Sequence, residues 1–278
     1  MDNNVISIKY EKDLIASLTA QQKELRESLE YARNIQKSIF PSHQKVNNIL
    51  PESFVFFEPK EIVSGDFYWI RKIDNHILFA VGDCTGHGVP GAFMSILGII
   101  FLNEITNHIP LLPPNRILNA LRERIMKTLN QTGQDYEQKD GIDMVLASYN
   151  EDNRVLQFAG ANNPLCLIRN NQIEMLKGSK MPIGISGLDE ESFINQKIEV
   201  QEQDCIYLFT DGYIDQFGGK NDKKFKMRRF RQLLLDIHKH DFSKQKNILK
   251  QNLQQWRNNQ EQTDDILIMG IGFETFIQ

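Results

Sequence analysis

The chain has 278 residues, and its 32 Lys and Arg against 36 Asp and Glu give a formal net charge of −4. A hydrophobic fraction of 41% and a charged fraction of 24% are typical of globular proteins and exclude a disordered or fibrous chain. The acidic balance disfavours nucleic-acid binding, and no window approaches the ~18 consecutive apolar residues of a membrane span. Three cysteines without zinc-type spacing predict neither a disulfide framework nor a thiolate metal site. We therefore expect a soluble, cytoplasmic protein.

The N-terminal part of the chain predicts one long exposed helix. Residues 11–40 contain neither Pro nor Gly and are rich in charged and amide side chains, and Pro41 ends the pattern. A heptad frame has six apolar residues among its eight a and d positions. The a positions are Leu18, Leu25, Ala32 and Ile39, and the d positions are Leu14, Gln21, Ser28 and Ile35. Two interpretations stay open: a parallel homodimer through this helix, or an amphipathic helix that lies on its own domain.

After Pro41 the sequence changes to short β-branched and aromatic runs between turn residues, which predict antiparallel strands. The predicted strands are 53–58, 66–73, 76–83, 143–149, 154–158, 165–169, 194–200, 205–210 and 266–273. The predicted helices are 90–108, 115–131, 228–238 and 243–258, with a loop at 133–139. Strands and helices come in groups rather than in alternation, which is typical of an α+β fold. The chain is thus divided into an N-terminal helical segment, 1–42, and a larger domain, 43–278.

Carboxylates stand beside glycines at the ends of several predicted strands. The four motifs contain Asp66, Asp83, Asp211 and the pair Asp264-Asp265. A single Asp before a Gly is most often a turn former. Four such motifs at the ends of shared sheets would repel one another unless they were protonated or neutralised by a cation. Magnesium and manganese prefer hard oxygen ligands, so the sequence predicts a carboxylate-rich site for divalent metal.

Five motifs in this order resemble a known enzyme family. They are VSGDFYW, VGDCTGHGVPGAFMS, AGANNP, LFTDGYID and TDDILIM. Together they resemble the PPM-type (protein phosphatase 2C-like) metal-dependent serine/threonine phosphatases, and within these the bacterial SpoIIE/RsbU-like branch. The resemblance covers about residues 51–273. It implies an αββα sandwich of two antiparallel β-sheets flanked by helices, here preceded by the long N-terminal helix, with metals at one edge of the sheets.

The same resemblance implies a ligand set for two divalent cations, manganese or magnesium. The candidate ligands are Asp66, Asp83, Cys84, Asp211, Asp264 and Asp265. Asp83 corresponds to the carboxylate that bridges the ions, and Cys84 would contribute its backbone carbonyl rather than its thiol. Asp211 and Asp264 correspond to the other carboxylates of the first ion, and Asp66 to the residue near the second. Asp265 could exchange roles with its neighbour Asp264.

The candidate catalytic residues are Asp83, Asp211 and His87. His87 could protonate the leaving oxygen, since histidine titrates near neutral pH, or it could only fix the turn that carries it. Its spacing from Asp83 differs from that of the acid histidine in the eukaryotic protein phosphatase 2C branch, so that role does not transfer directly. Ala161 stands where many relatives carry histidine, and any function of that histidine is absent here.

Two bound metal ions could bridge a water molecule, lower its pKa and direct the hydroxide at phosphorus. The resemblance implies hydrolysis of phosphoserine or phosphothreonine on a signalling protein, such as a phosphorylated STAS-type anti-sigma-factor antagonist or another phosphoprotein. The alternative is an inactive scaffold of the same fold that binds a phosphoprotein or a regulatory kinase. Residues 220–231 contain seven Lys or Arg and one acid. They could dock an acidic partner, or form a loop that leads into a basic helix face.

Overall fold

The computed structural model describes residues 2–109, 111–133, 139–187 and 191–273. Its helices are α1 Asp2–Ile39, α2 His43–Ile49, α3 Gly88–His108, α4 Pro114–Thr128, α5 Gly212–Asp215, α6 Met227–Ile237 and α7 Phe242–Arg257. Its strands are β1 Ser53–Glu58, β2 Phe67–Ile73, β3 His76–Cys84, β4 Ile142–Asn150, β5 Val155–Ala161, β6 Leu165–Arg169, β7 Gln172–Leu176, β8 Gln196–Glu199, β9 Cys205–Phe209, β10 Phe217–Gly218, β11 Lys223–Lys224 and β12 Ile266–Gly272. The predicted loop at 133–139 lies largely outside the described residues.

Ten strands form two five-stranded antiparallel sheets packed face to face. The first sheet has the order β1-β12-β9-β6-β7, and the second has the order β2-β3-β4-β5-β8. A core of side chains from both sheets lies between them. α3 and α4 cover the outer face of the second sheet, and α6 and α7 cover that of the first. These four layers confirm the predicted α+β class and the αββα sandwich, and β10 and β11 form a separate small hairpin.

Alternate side chains of the central strands enter two different cores. In β3, Phe79 and Val81 pack between the sheets, whereas Leu78 and Ala80 pack beneath α3 and α4. Successive residues of a strand point to opposite faces. Because both faces of β3 are covered, its sequence is a nearly continuous apolar run. This run is the pattern that predicts the strand.

α3 is apolar on nearly every side. By length and composition it is the one helix in the described part of the chain that could cross a membrane. Half of the apolar stretch that meets these criteria is buried inside the molecule, where α3 packs on α4 and the second sheet. This packing accounts for its composition, since a helix buried on several sides is apolar all round.

Among the side chains of α1 that the structure describes, those of its C-terminal turns attach it to the domain. Residues 12–28 are exposed, so the interpretation in which the helix lies along its own domain does not hold for them. Near the end of α1, the buried side chain of Gln36 donates hydrogen bonds to the carbonyl of Ser64 (2.6 Å) and to Ser95 Oγ of α3 (3.0 Å). Its Oε1 accepts from Ser64 N (3.2 Å). One amide therefore connects α1, α3 and the loop that leads to Asp66.

The sequence predicts neither α2 nor β7, nor the short α5, β10 and β11. β7 pairs with β6 across Asn170 and Asn171, which have φ angles of 50° and 58°. Asn tolerates this left-handed conformation, so an Asn-Asn pair can form the tight turn of a hairpin. Ser42 is the N-cap of α2, and its hydroxyl accepts from Lys45 N (3.2 Å). The other predicted boundaries are within three residues of the structure, except that α1 begins nine residues earlier.

Candidate metal centre

The acidic motifs meet at one edge of the sandwich. Asp83 near the end of β3 and Asp143 near the start of β4 are paired across the two strands. In the other sheet, Asp211 follows the end of β9, and Asp264 precedes the start of β12. Neighbouring antiparallel strands run in opposite directions, so the end of one lies beside the start of the next. The strand order therefore gathers these four carboxylates from distant parts of the chain.

Four carboxylates line a cleft of about 260 Å³: Asp83, Asp143, Asp211 and Asp264. The other lining residues are Cys84, Thr85, Gly86 and His87. Five of the seven predicted site residues therefore lie together, namely Asp83, Cys84, His87, Asp211 and Asp264. The remaining two, Asp66 and Asp265, are buried and are not among the lining residues.

The turn after β3 presents backbone to the cleft. Gly86 and Gly88 have φ angles of 82° and 66°, which other residues rarely adopt. The Cys84 side chain packs in the core beneath α3, and burial raises the pKa of its thiol. The thiol is therefore buried and stays protonated, as expected if only the carbonyl of Cys84 serves as a ligand.

Burial is the first cause of a raised pKa in three of the cleft carboxylates, Asp83, Asp143 and Asp211. Burial, followed by the charges of Asp211 and Asp264, raises the pKa of Asp83 to about 8. Burial also raises the pKa of Asp143. For Asp211, desolvation in the cleft raises the pKa, and the nearby Lys224 ammonium partly opposes this effect. An added positive charge would stabilise the ionised form of these three carboxylates, and the oxygen-rich donor set fits a hard divalent cation.

The structure shows a shared acidic cleft rather than a preformed chelate. Within the described ranges, no group of three or more His, Cys, Asp or Glu side chains stands ready to hold a metal ion. The geometry that brings these residues together is thus a property of the strands, and not of the side-chain rotamers.

Asp265 has a different environment from Asp264. Its carboxylate is 3% exposed and accepts hydrogen bonds from Lys60 N (2.7 Å) and Gly65 N (2.8 Å). It therefore holds the loop between β1 and β2. Asp264 lines the cleft, and its Oδ1 accepts from Asp265 N (2.8 Å).

Asp66 lies at the start of β2, behind the cleft. It is 2% exposed, and its Oδ2 accepts a hydrogen bond from Thr210 Oγ1 (2.6 Å). Burial, and secondarily the charge of Asp83, raises the pKa of Asp66 well above its ordinary value. The residue is close enough to Asp83 to feel its charge, but its carboxylate is engaged with Thr210.

His87 is the residue before α3, and its half-exposed imidazole pairs with Glu61. The distance from His87 Nδ1 to Glu61 Oε1 is 2.6 Å. The pair joins the turn after β3 to the same loop that Asp265 holds. A carboxylate in this position orients the ring, so the contact suits either role foreseen for His87.

Sequence reasoning missed Asp143 and Glu61. Asp143 lines the cleft and accepts from Asn162 Nδ2 (2.8 Å), and Asn162 has a φ of 56°. The available signal for Asp143 was an acidic residue at the start of a predicted strand, but its pairing with Asp83 depends on the register. For Glu61 the sequence carries no signal, since its partner is 26 residues away in another loop.

A larger cavity of about 670 Å³ opens at the opposite end of β9 and β12. Its lining includes Cys205, His238, His240 and Gly272, and none of the predicted acidic site residues. Cavity size alone therefore does not identify the candidate metal site, whereas the convergence of carboxylates does.

Comparisons with known proteins agree with this geometry. A family model described as Stage II sporulation protein E (SpoIIE) matches residues 73–274. Phosphoserine phosphatase RsbU of Bacillus subtilis (strain 168) is 25% identical over 200 residues. That match covers 70% of this chain and 56% of RsbU, so the chain spans little more than half the length of this curated relative.

Two solved structures show the same architecture. The SiaA-PP2C domain of Pseudomonas aeruginosa is 30% identical, with a TM-score of 0.82, over 92% of this chain and 98% of that one. The PP2C phosphatase domain of SpoIIE from Bacillus subtilis, solved with a fragment of its regulatory domain, is 16% identical. Its TM-score is 0.67, over 82% of this chain and 63% of that one, and this likeness concerns the fold alone.

The neighbours Asp264 and Asp265 should respond differently to the same change. Asp265→Asn should lower the free energy of unfolding by about 1–3 kcal/mol, because an amide nitrogen cannot accept from the buried N–H groups of Lys60 and Gly65. Asp264→Asn should leave metal-free stability unchanged or raise it, because it removes one repelling charge. Denaturant unfolding in chelator measures both. Equal losses in the two variants would contradict the distinction.

Proposed function

Because the chain belongs to the SpoIIE family of PP2C-type serine/threonine phosphatases, we propose that it hydrolyses phosphoserine or phosphothreonine on a partner protein. The observation that carries the proposal is the cleft in which two carboxylates from each sheet meet. Phosphate ester hydrolysis needs activated water and stabilised oxyanions, and a cluster of carboxylates is the site that a protein builds to hold the divalent ions for that chemistry.

We assign Asp83, Asp211 and Asp264, with the carbonyl of Cys84, to hold two divalent cations, manganese or magnesium. Burial, and after it the charges of Asp211 and Asp264, raises the pKa of Asp83 to about 8, and this supports the assignment because a bound cation would offset both effects. When bound, such ions lower the pKa of a water molecule and stabilise charge on phosphoryl oxygens. Asp66 is assigned to the second ion through water, since it lies behind Asp83 and is already engaged with Thr210.

The protein's own residues orient the site. Asp265 acts as a positioning residue, because both of its oxygens are engaged by backbone N–H groups of the loop between β1 and β2. Asn162 fixes the carboxylate of Asp143 beside Asp83. Asp83 and Asp211 face the cleft that admits the phosphate, and His87, oriented by Glu61, protonates the leaving serine or threonine oxygen.

The substrate that we propose is a phosphoprotein, and within that class a phosphorylated STAS-type anti-sigma-factor antagonist. The relative RsbU is a phosphoserine phosphatase, which supports the phosphoserine part of this proposal. The cleft of about 260 Å³ is small and polar, which suits a phosphorylated side chain presented by a protein. We place this reaction in the cytoplasm.

The second candidate is a scaffold that binds a phosphoprotein or a regulatory kinase without turnover. Its sequence support was Ala161, together with the two roles left open for His87. In the structure Ala161 is buried in the core beneath α3 and α4, so the residue leaves the lining of the cleft unchanged. The geometry therefore favours the enzyme.

We also propose that two chains associate through α1 as a parallel homodimer. The side chains of Leu14, Leu18, Leu25 and Ile35 are exposed, and all four occupy a or d positions of the heptad frame. Burying such a stripe against a second copy stabilises a coiled coil. The segment 1–42 would then serve as the association segment of the domain 43–278.

Catalysis and metal dependence are tested together. The full chain should hydrolyse both p-nitrophenyl phosphate and a phosphoserine peptide with manganese or magnesium, and chelator should stop both reactions. Asp83→Asn should lower kcat by at least about 100-fold, while its metal-free melting temperature stays the same or rises. Asp74→Asn, in an exposed turn remote from the cleft, is the control and should keep wild-type kcat. Turnover that persists in chelator would refute the metal assignment, and no turnover at saturating metal would favour the scaffold.

The role of His87 is tested by varying the leaving group. A general acid matters most when the leaving oxygen is a poor leaving group, so His87→Gln should reduce kcat by about 100-fold on a phosphoserine peptide. With p-nitrophenyl phosphate, whose phenolate leaves without a proton, the loss should be much smaller. Glu61→Gln should show the same substrate dependence in weaker form. Equal losses on both substrates would assign His87 to the turn alone.

Lysine substitutions at a positions of the heptad frame test the dimer. Multi-angle light scattering of the full chain should give twice the monomer mass, and Leu18→Lys with Leu25→Lys should give the monomer mass. The double variant Ala16→Lys with Ala20→Lys adds the same charge to exposed positions outside the a and d seam and should remain a dimer. A wild-type monomer would refute the association.

A further inference from the structure

The segment that follows Asp211 carries a concentration of positive charge beside an acidic cleft. After the single turn of α5, residues 216–226 form a small hairpin through β10 and β11, here called the basic hairpin. Four of its eleven residues are lysines, and one is an acid, Asp222. Its formal charge is +3, from four lysines and one aspartate, in a chain whose net charge is −4.

The base of the basic hairpin is fixed to its surroundings. Gln216 is fully buried, and its carbonyl accepts from the indole Nε1 of Trp256 (3.0 Å). Its side chain donates to the carbonyl of Glu261 (2.9 Å) and accepts from Thr263 N (3.2 Å). Gly219 N donates to the carbonyl of Trp256 (2.8 Å). The hairpin is therefore tied to the end of α7 and to the segment that leads into Asp264.

The lysines of the basic hairpin are exposed. Lys224 Nζ lies 2.7 Å from Asp215 Oδ2 of α5, and its charge acts on Asp211 in the cleft. Among the residues that the structure describes, no carboxylate lies within ion-pair distance of the Lys220, Lys223 or Lys226 ammonium groups. Three exposed positive charges thus lie on a hairpin that one helical turn joins to Asp211, where an approaching anionic chain can meet them.

We propose that the basic hairpin docks acidic residues of the substrate that flank the phosphorylated serine or threonine. This inference rests on the proposed phosphatase function and adds a substrate preference to it. The cleft itself is strongly acidic and repels an anionic substrate at a distance. A fixed positive surface next to it attracts the acidic flank and brings the phosphorylated side chain to the cleft in one orientation.

Two peptides of equal length test the preference. Both carry one phosphoserine, with three Asp or Glu on either side in the first and the corresponding Asn or Gln in the second. The wild-type chain with manganese should have a kcat/KM at least about tenfold higher for the acidic peptide. Lys220→Glu with Lys223→Glu should remove this ratio, mainly through a higher KM for the acidic peptide, and rising salt should do the same to the wild type.

The control has the same change in net charge on another part of the surface. Lys197→Glu with Lys239→Glu alters exposed lysines on β8 and after α6, and it should keep the wild-type ratio. Circular dichroism checks that both double variants are folded.

A wild type that hydrolyses both peptides equally well overturns the docking inference and leaves the phosphatase function intact. Equal losses on both peptides in the Lys220/Lys223 variant also overturn it, because the lysines would then serve the phosphate itself. A wild type inactive on both peptides with saturating manganese refutes the phosphatase function, and the docking inference with it. Loss of adsorption to phosphatidylserine vesicles with an unchanged peptide ratio would assign the hairpin to membranes instead.

Discussion

The carboxylates of Asp83, Asp143, Asp211 and Asp264 repel one another in one cleft, and the fold must hold them there. Two of them come from each sheet, so the repulsion acts across the interface between the sheets. The apolar core between the sheets opposes it. Beneath the cleft, two sets of hydrogen bonds also cross from the first sheet to the second. Thr210 donates to Asp66, and Asp265 accepts from the loop that precedes β2. A cation shared by the cleft carboxylates would act in the same direction, so ligand binding and sheet packing are coupled.

The strands that carry the site could be recognised in the sequence because covered strands read as apolar runs with acidic residues at their ends. The register of these strands could not be predicted from the sequence. Asp143 became part of the site only through its pairing with Asp83, and that pairing is set by contacts between strands rather than by local sequence. Asp264 and Asp265 show the same limit. They are chemically identical neighbours, and what separates them is a loop 200 residues earlier in the chain, whose Gly65 N–H meets Asp265.

α1 shows which features of a helix a heptad frame can predict. The composition of residues 11–40 predicted one long exposed helix, and residues 12–28 are exposed, whereas the frame left open whether its apolar seam meets a second chain or the helix's own domain. The frame placed Gln36 outside the seam, at a position where a polar residue normally faces water. In the structure this residue is buried and bonded to Ser64 and Ser95. Burying an amide is favourable only when its polar atoms find partners. Those partners lie in the loop before Asp66 and in α3, so the end of α1 and the backbone beside the site share one set of hydrogen bonds.

On the proposed function, selectivity for a protein substrate has to arise outside the cleft. A volume of about 260 Å³ lies below the range of most small-molecule pockets, and it leaves room for little more than a phosphorylated side chain. The lining consists of four aspartates and the turn residues from Cys84 to His87. Such a lining can select a phosphate group, but it cannot distinguish one phosphoprotein from another. The surface that can make this distinction must be close to the cleft and held in a fixed position relative to it. The basic hairpin meets both conditions, because one helical turn joins it to Asp211 and Gln216 joins it to the segment before Asp264. Its charge is opposite to that of the cleft, so the cleft and the hairpin can engage different parts of one substrate: the phosphate and the residues beside it.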